Sequence, residues 1–244
     1  MIYNAILFLF FAVFYAAVGF GGGSGYIAIL SFSDLPPSEL RIIALFCNII
    51  VVGGGTYLFF KHKLLPFKKV IPFVVTSVPA AFIGGTILLP NNLFFIVLAS
   101  CLFLAGILMI VQPHKVAQPK SSNIIVNALI GAIIGFVSGL IGIGGGIFLA
   151  PILYLMRWDK AKIIAATASF FILVNSISGL VGQYAVTDVQ VSWKILLPLL
   201  IAVGIGGQVG SRLNINGLSQ LWVKRLTAVL VIFASVRIFY KLLV

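Results

Sequence analysis

The chain is predicted to be an all-α polytopic membrane protein of two repeats, each a glycine-broken helix followed by three transmembrane helices. That fold class rests on three observations. Apolar residues fill 61% of the chain and charged ones only 8%, far below the roughly 25% charge of a soluble domain. Apolar runs near or above ~18 residues recur along the whole length. The cluster Gly-x-Gly-Gly-Gly occurs twice, at residues 19–23 and 142–146, each time interrupting a long apolar run at the same place in its half.

The elements follow in order. Apolar segments at 2–18 and 24–33 flank the first glycine cluster, and unbroken ones lie at 40–60, 69–89 and 92–112. A basic linker, residues 113–123, is the longest polar stretch and leaves no room for a soluble domain. It separates a first membrane repeat (1–112) from a second (124–244). The second repeat has segments at 124–141 with 147–156, then 161–182, 193–210 and 219–243. Asn48 and Tyr57 stand nine residues apart in one half, as do Asn175 and Tyr184 in the other, and Gly84-Gly85 matches Gly206-Gly207. The first residues carry no Lys or Arg, so they lack the basic region of a signal peptide and are expected to stay as a membrane element.

Length constrains the broken elements. Residues 2–33 as one straight helix would run about 48 Å against a hydrocarbon core of about 30 Å. Each element must therefore fold back, kink sharply or run along the interface. Charge helps to choose. Sixteen Lys and Arg oppose four acidic residues, Asp34, Glu39, Asp159 and Asp188, which in a membrane protein reports topology and anionic lipid rather than nucleic acid. If each broken element re-enters and returns to its own side, the basic clusters at 61–69, 115–120, 157–162 and 212–225 all fall on one side. The halves then have inverted topology; plain crossing with parallel repeats is the alternative.

A helix that starts inside a membrane offers unpaired N–H groups and the positive end of its dipole, which suits an anion without any charged side chain. The expected donors are Gly21, Gly22, Gly23 and Ser24 at the first break and Gly144, Gly145, Gly146 and Ile147 at the second. Close helix packing is the plainer use of glycine, but three in a row destroy a helix locally. Asn48 and Asn175 are costly in hydrocarbon unless bonded, and suit either an oxyanion or the loose backbone of the turn. Thr167 and Ser169 are candidates for the face of Asn175, against the plainer expectation of a bond to the carbonyl one turn back.

No Asp or Glu lies mid-span, which argues against a proton or sodium site built on an intramembrane carboxylate. His62 and His114 sit in loops, so no metal site is expected. No phosphate-binding G-x-x-x-x-G-K-[ST] is present, and no cofactor or enzymatic activity is implied. Cys47 and Cys101 fit small buried hydrophobes. Arg237 stands as the one basic residue well inside a span, expected to snorkel to the interface.

The stretches GLIGIGGGIFLAPIL (139–153) and ATASFFILVNSISGLVGQY (166–184) resemble the TauE/SafE sulfite exporter family, also called the TSUP permeases. In that family a glycine-rich break precedes a proline, and a Thr/Ser-containing span with an Asn follows. The first half departs from the pattern, with Ala28 where the second has Pro151 and no hydroxyl-rich stretch before Asn48, so the two half-sites are expected to be unequal. The resemblance implies a multi-pass transporter of the bacterial inner membrane whose partners are the bilayer and a small sulfur-containing anion: sulfite, thiosulfate, sulfoacetate or another organosulfonate. A secondary transporter is the expectation. A passive anion channel, or an intramembrane thiol or redox protein using Cys47, are the alternatives. The particular anion, the direction, the coupling ion and the oligomeric state are left open.

Overall fold

The computed structural model describes residues 2–31, 33, 35–111, 123–189, 191–215 and 220–243. The linker expected at 113–123 therefore lies outside the described residues except for Asn123. Among the described residues, ten helices follow in chain order: α1 (Ile2–Ala17), α2 (Gly23–Leu30), α3 (Pro37–Lys61), α4 (Phe67–Thr86), α5 (Asn91–Val111), α6 (Ile124–Ile141), α7 (Gly146–Leu155), α8 (Ala161–Tyr184), α9 (Trp193–Ile215) and α10 (Gln220–Leu243). Six of them (α3, α4, α5, α6, α8 and α9) are long and apolar enough to cross a membrane. The chain is an all-α polytopic membrane protein.

Local chemistry sets the helix starts. Pro37 opens α3 after an extended Pro36, where its missing N–H costs nothing. The Asn123 side chain caps α6 by accepting the Ile125 N–H at 2.9 Å, which satisfies one of the orphan donors of a helix start. The two short helices start on glycines held in left-handed geometry, Gly22 at φ 93° and Gly145 at φ 80°. Side chains rarely adopt that conformation.

In hydrocarbon, water gives no drive to helix association, so contact depends on close backbone approach. Glycines supply it, along stripes four residues apart. Gly131, Gly135 and Gly139 on α6 face Phe73, Ser77 and Ala81 on α4. Gly206 and Gly210 on α9 face Leu9 and Val13 on α1. Because both partners ascend together, α4 runs parallel to α6, and α1 to α9. Each pair joins a helix from the first half of the chain to one from the second. The central pair, α3 and α8, is antiparallel, with Gln183 near the end of α8 donating to the Ser38 carbonyl at the start of α3 (3.0 Å).

Basic residues gather at one end of the bundle. Lys69 at the start of α4 pairs with Asp159 in the α7–α8 connection at 2.8 Å and lies 5.7 Å from the centre of the Trp158 ring. Lys162 donates to the Ile215 carbonyl at the end of α9 (2.9 Å).

Arg237 stands out in the sequence as the basic residue inside a span, but the fold buries a different one. Arg41, one turn into α3, is 1% exposed. Its guanidinium donates to the carbonyls of Ile87 (3.0 Å), Gly84 (3.4 Å) and Gly85 (3.0 Å) at the end of α4 and of Gly139 (2.9 Å) in the last turn of α6. They are carbonyls of helix ends, where intrahelical partners run out, which is why a charged side chain is tolerated there; only Gly84 among them also accepts a backbone N–H, from Ile87 at 3.3 Å.

A Cβ at Gly135 would lie 2.6 Å from Ser77 Cα, so Gly135→Leu is expected to abolish the α4–α6 contact and the monodisperse gel-filtration peak in detergent. Gly53 faces open space. Gly53→Ala should leave the peak and the melting temperature unchanged or slightly raised.

Candidate functional site

Both glycine breaks converge on the middle of α3 and α8. Asn48 lies eleven residues from the start of α3 and thirteen from its end, about 16 and 20 Å along the axis. Its Oδ1 accepts the Gly23 N–H at 2.8 Å, the first orphan donor of α2. The same carboxamide reaches the other break, since a Cβ at Gly144 would lie 2.8 Å from Asn48 Nδ2. Ile172, mid-way along α8, packs its side chain against Gly21, Gly144 and Gly146. Glycines from two points 123 residues apart in the chain thus share one asparagine and one isoleucine.

The expected residues behave unequally around this centre. Gly21, Gly23, Gly144 and Gly146 border Asn48 or Ile172, while Gly22 faces the Tyr26 hydroxyl and Gly145 faces Ile134, Phe171 and Ser138. In α7 the first N–H groups to bond back are Phe148 and Leu149, both onto the Gly145 carbonyl at 3.1 Å, so those of Gly146 and Ile147 precede the helical ladder. Ser24 turns away, its hydroxyl donating to Tyr15 at 3.1 Å. Ser169 donates to the Gly19 carbonyl at 3.0 Å, neither a bond one turn back nor an open donor. Asn175 folds its Nδ2 onto the Phe171 carbonyl at 2.8 Å. Thr167 is fully buried and its Oγ1 has no partner.

The two breaks also differ in backbone. Gly19 and Gly142, which end α1 and α6, both have positive φ, as do Gly22 and Gly145; Gly144 has φ 77°, whereas Gly21 is not among the positive-φ glycines.

The polar atoms left without partners are informative, because a buried orphan is expensive in this environment. Asn48 Nδ2 and Ser176 Oγ are both fully buried and unpartnered, and both border Gly144, at 2.8 and 2.9 Å from its Cβ position. Tyr26 and Ser138 hydroxyls are unpartnered beside Gly22 and Gly145. Ser176 was absent from the sequence-based set, although it stands next to Asn175 and only α8's register turns it toward the break. Among the described residues no carboxylate lies at this centre, and none of them forms a cluster of three or more His, Cys, Asp or Glu able to hold a metal. Cys47 is fully buried.

A model of the family described as sulfite exporter TauE/SafE matches residues 4–238. The chain belongs to the TauE/SafE family. It is 35% identical over 245 residues to the probable membrane transporter protein y4hK of Sinorhizobium fredii, with 97% of both chains covered. It is also 26% identical to the probable membrane transporter protein YunE of Bacillus subtilis, over 81% of this chain and 82% of that one. A second Bacillus subtilis relative, the probable membrane transporter protein YjnA, is 25% identical over 84% and 89%. No solved structure matches. A TauE/SafE protein is a membrane transporter.

Asn48→Ala strips the Gly23 N–H of its acceptor, whereas Asn175→Ala removes only a bond to a carbonyl one turn back. The first variant is expected to lose about 1–3 kcal/mol and the second clearly less, read as the order of their melting temperatures in detergent.

Proposed function

We propose that this protein is a secondary transporter of small sulfur-containing anions in the bacterial inner membrane, holding its substrate between the two glycine breaks. One observation carries the reading: two donors, Asn48 Nδ2 and Ser176 Oγ, are fully buried, unpartnered and beside the same glycine of a helix N-terminus. Such a set matches the oxygens of a tetrahedral or pyramidal oxyanion. A cation would be poorly served by it, with no carboxylate at hand. The family description supports sulfite, and the same chemistry fits thiosulfate, sulfoacetate or another organosulfonate.

Helix directions support an inverted repeat with re-entrant breaks. Running beside α4, α6 leaves the end of the bundle that carries Lys69 and Asp159, and α7 brings the chain back to Asp159 at that same end. α1 runs beside α9 toward the end that carries Ile215 and Lys162, and α2 leads back toward the start of α3. By the positive-inside rule the basic end is cytoplasmic. The glycines of both breaks are buried, so this arrangement is a closed state, and one half must rock against the other to admit a ligand.

In a background lacking Cys47 and Cys101, cysteines at Lys63 and Lys160 should both react with an impermeant thiol reagent from the cytoplasmic side only. Labelling from opposite sides would sink the inverted arrangement. Ser176→Ala removes a hydroxyl that makes no internal bond, so its melting temperature should hold. Loss of one hydrogen bond to a charged ligand is expected to weaken anion affinity about ten-fold or more. Gly145→Leu should abolish flux of sulfite, thiosulfate and sulfoacetate in proteoliposomes; unchanged flux would rule out the site.

A further inference from the structure

Arg41 carries a guanidinium buried one turn inside α3, and the substrate site as described does not use it. Its two terminal nitrogens bond backbone carbonyls: those of the last turn of α4, the Ile87 carbonyl that follows, and Gly139 of α6, while its Nε is buried without a partner. Each helix C-terminus carries about half a negative charge, so two of them converge on this guanidinium and together offset it. The location ties that balance to the glycine break. Gly142, which ends α6, packs on the Arg41 stem, a Cβ there lying 2.9 Å from Arg41 Cβ, and Gly144 follows two residues later. Arg41 and Asn48 are seven residues apart, hence two turns along one face of α3 and about 10 Å apart on the axis. The first break has no such charge. The corresponding carbonyls after α1, Ala17 and Gly19, are met by the neutral Asn214 and Ser169.

We infer that Arg41 is a specificity-determining residue that cancels the negative ends of α4 and α6, which would otherwise face and repel the anion bound at the second break. The inference rests on the oxyanion-site reading above. Without Arg41 the site faces two uncompensated helix ends, and the penalty grows with each negative charge on the ligand. At about 10–15 Å and an effective dielectric near 20, one unit charge changes affinity by roughly ten-fold.

The experiment is titration calorimetry on the full chain in nanodiscs with sulfate, methanesulfonate and taurine as probes of net charge minus two, minus one and zero. Arg41→Gln is expected to weaken methanesulfonate about ten-fold and sulfate about a hundred-fold, leaving taurine within a few-fold of wild type. Equal losses for all three probes mark a purely structural role and overturn the inference. Arg41→Lys carries the test if the Gln variant does not fold. It keeps the charge but loses the fork that spans both helix ends, so the melting temperature falls while the charge ranking stays. A ranking that collapses in that variant also overturns the inference. Absence of binding by wild type to every probe instead overturns the oxyanion-site reading, and this inference with it.

Discussion

Backbone polarity without water is the constraint on which this structure depends. Breaking a helix within hydrocarbon frees N–H groups on one side and carbonyls on the other, and nothing but protein can satisfy them. The fold answers with long-range side chains. Asn48 takes a freed N–H at Gly23; Ser169 and Asn214 take freed carbonyls at Gly19 and Ala17; Arg41 takes Gly139 and the end of α4. Every one of these bonds joins separate elements, so the breaks organise the bundle instead of weakening it. Among the orphans that persist around the breaks, Asn48 Nδ2 and Ser176 Oγ stand out because both border the same glycine, Gly144.

Glycine has two distinct uses here. The stripes on α6 and α9 bring backbones into contact across the two halves of the chain, which couples them mechanically. The clusters at the breaks use positive φ to reverse the chain next to Asn48 and Ile172. The two uses meet in α6, whose stripe ends at Gly139 just before the turn at Gly142. The second break is therefore tied to α4 through this packing as well as to α7 through the chain.

Much of the architecture was legible because it followed from lengths and residue types. Apolar run lengths located the spans to within a few residues, and the doubled glycine cluster located the breaks to within one residue. Long-range register was not legible. Asn48 and Asn175 look alike in sequence, yet one bonds a distant N–H and the other folds onto its own helix, a difference set by how α3 and α8 rotate against the breaks. Ser176 was hidden for the same reason. Arg41 sits one turn inside α3, where a basic residue ordinarily reaches the interface. Only the arrival of two helix ends explains its burial. The stripe at Gly131, Gly135 and Gly139 has packing spacing in the sequence, but spacing alone does not name α4 as its partner.

The inequality between the ends of α1 and α6 has a thermodynamic consequence. In the carrier proposed above, two halves related by an exact two-fold axis in the membrane plane would make the states open to either side equal in free energy, so an empty carrier would spend half its time facing each way. Here one half closes its exposed carbonyls with a guanidinium and the other with an amide and a hydroxyl. In such a carrier, separating those contacts would cost different amounts, and the unloaded molecule would have a preferred orientation before any gradient acts on it. Direction would then begin as a property of the resting chain.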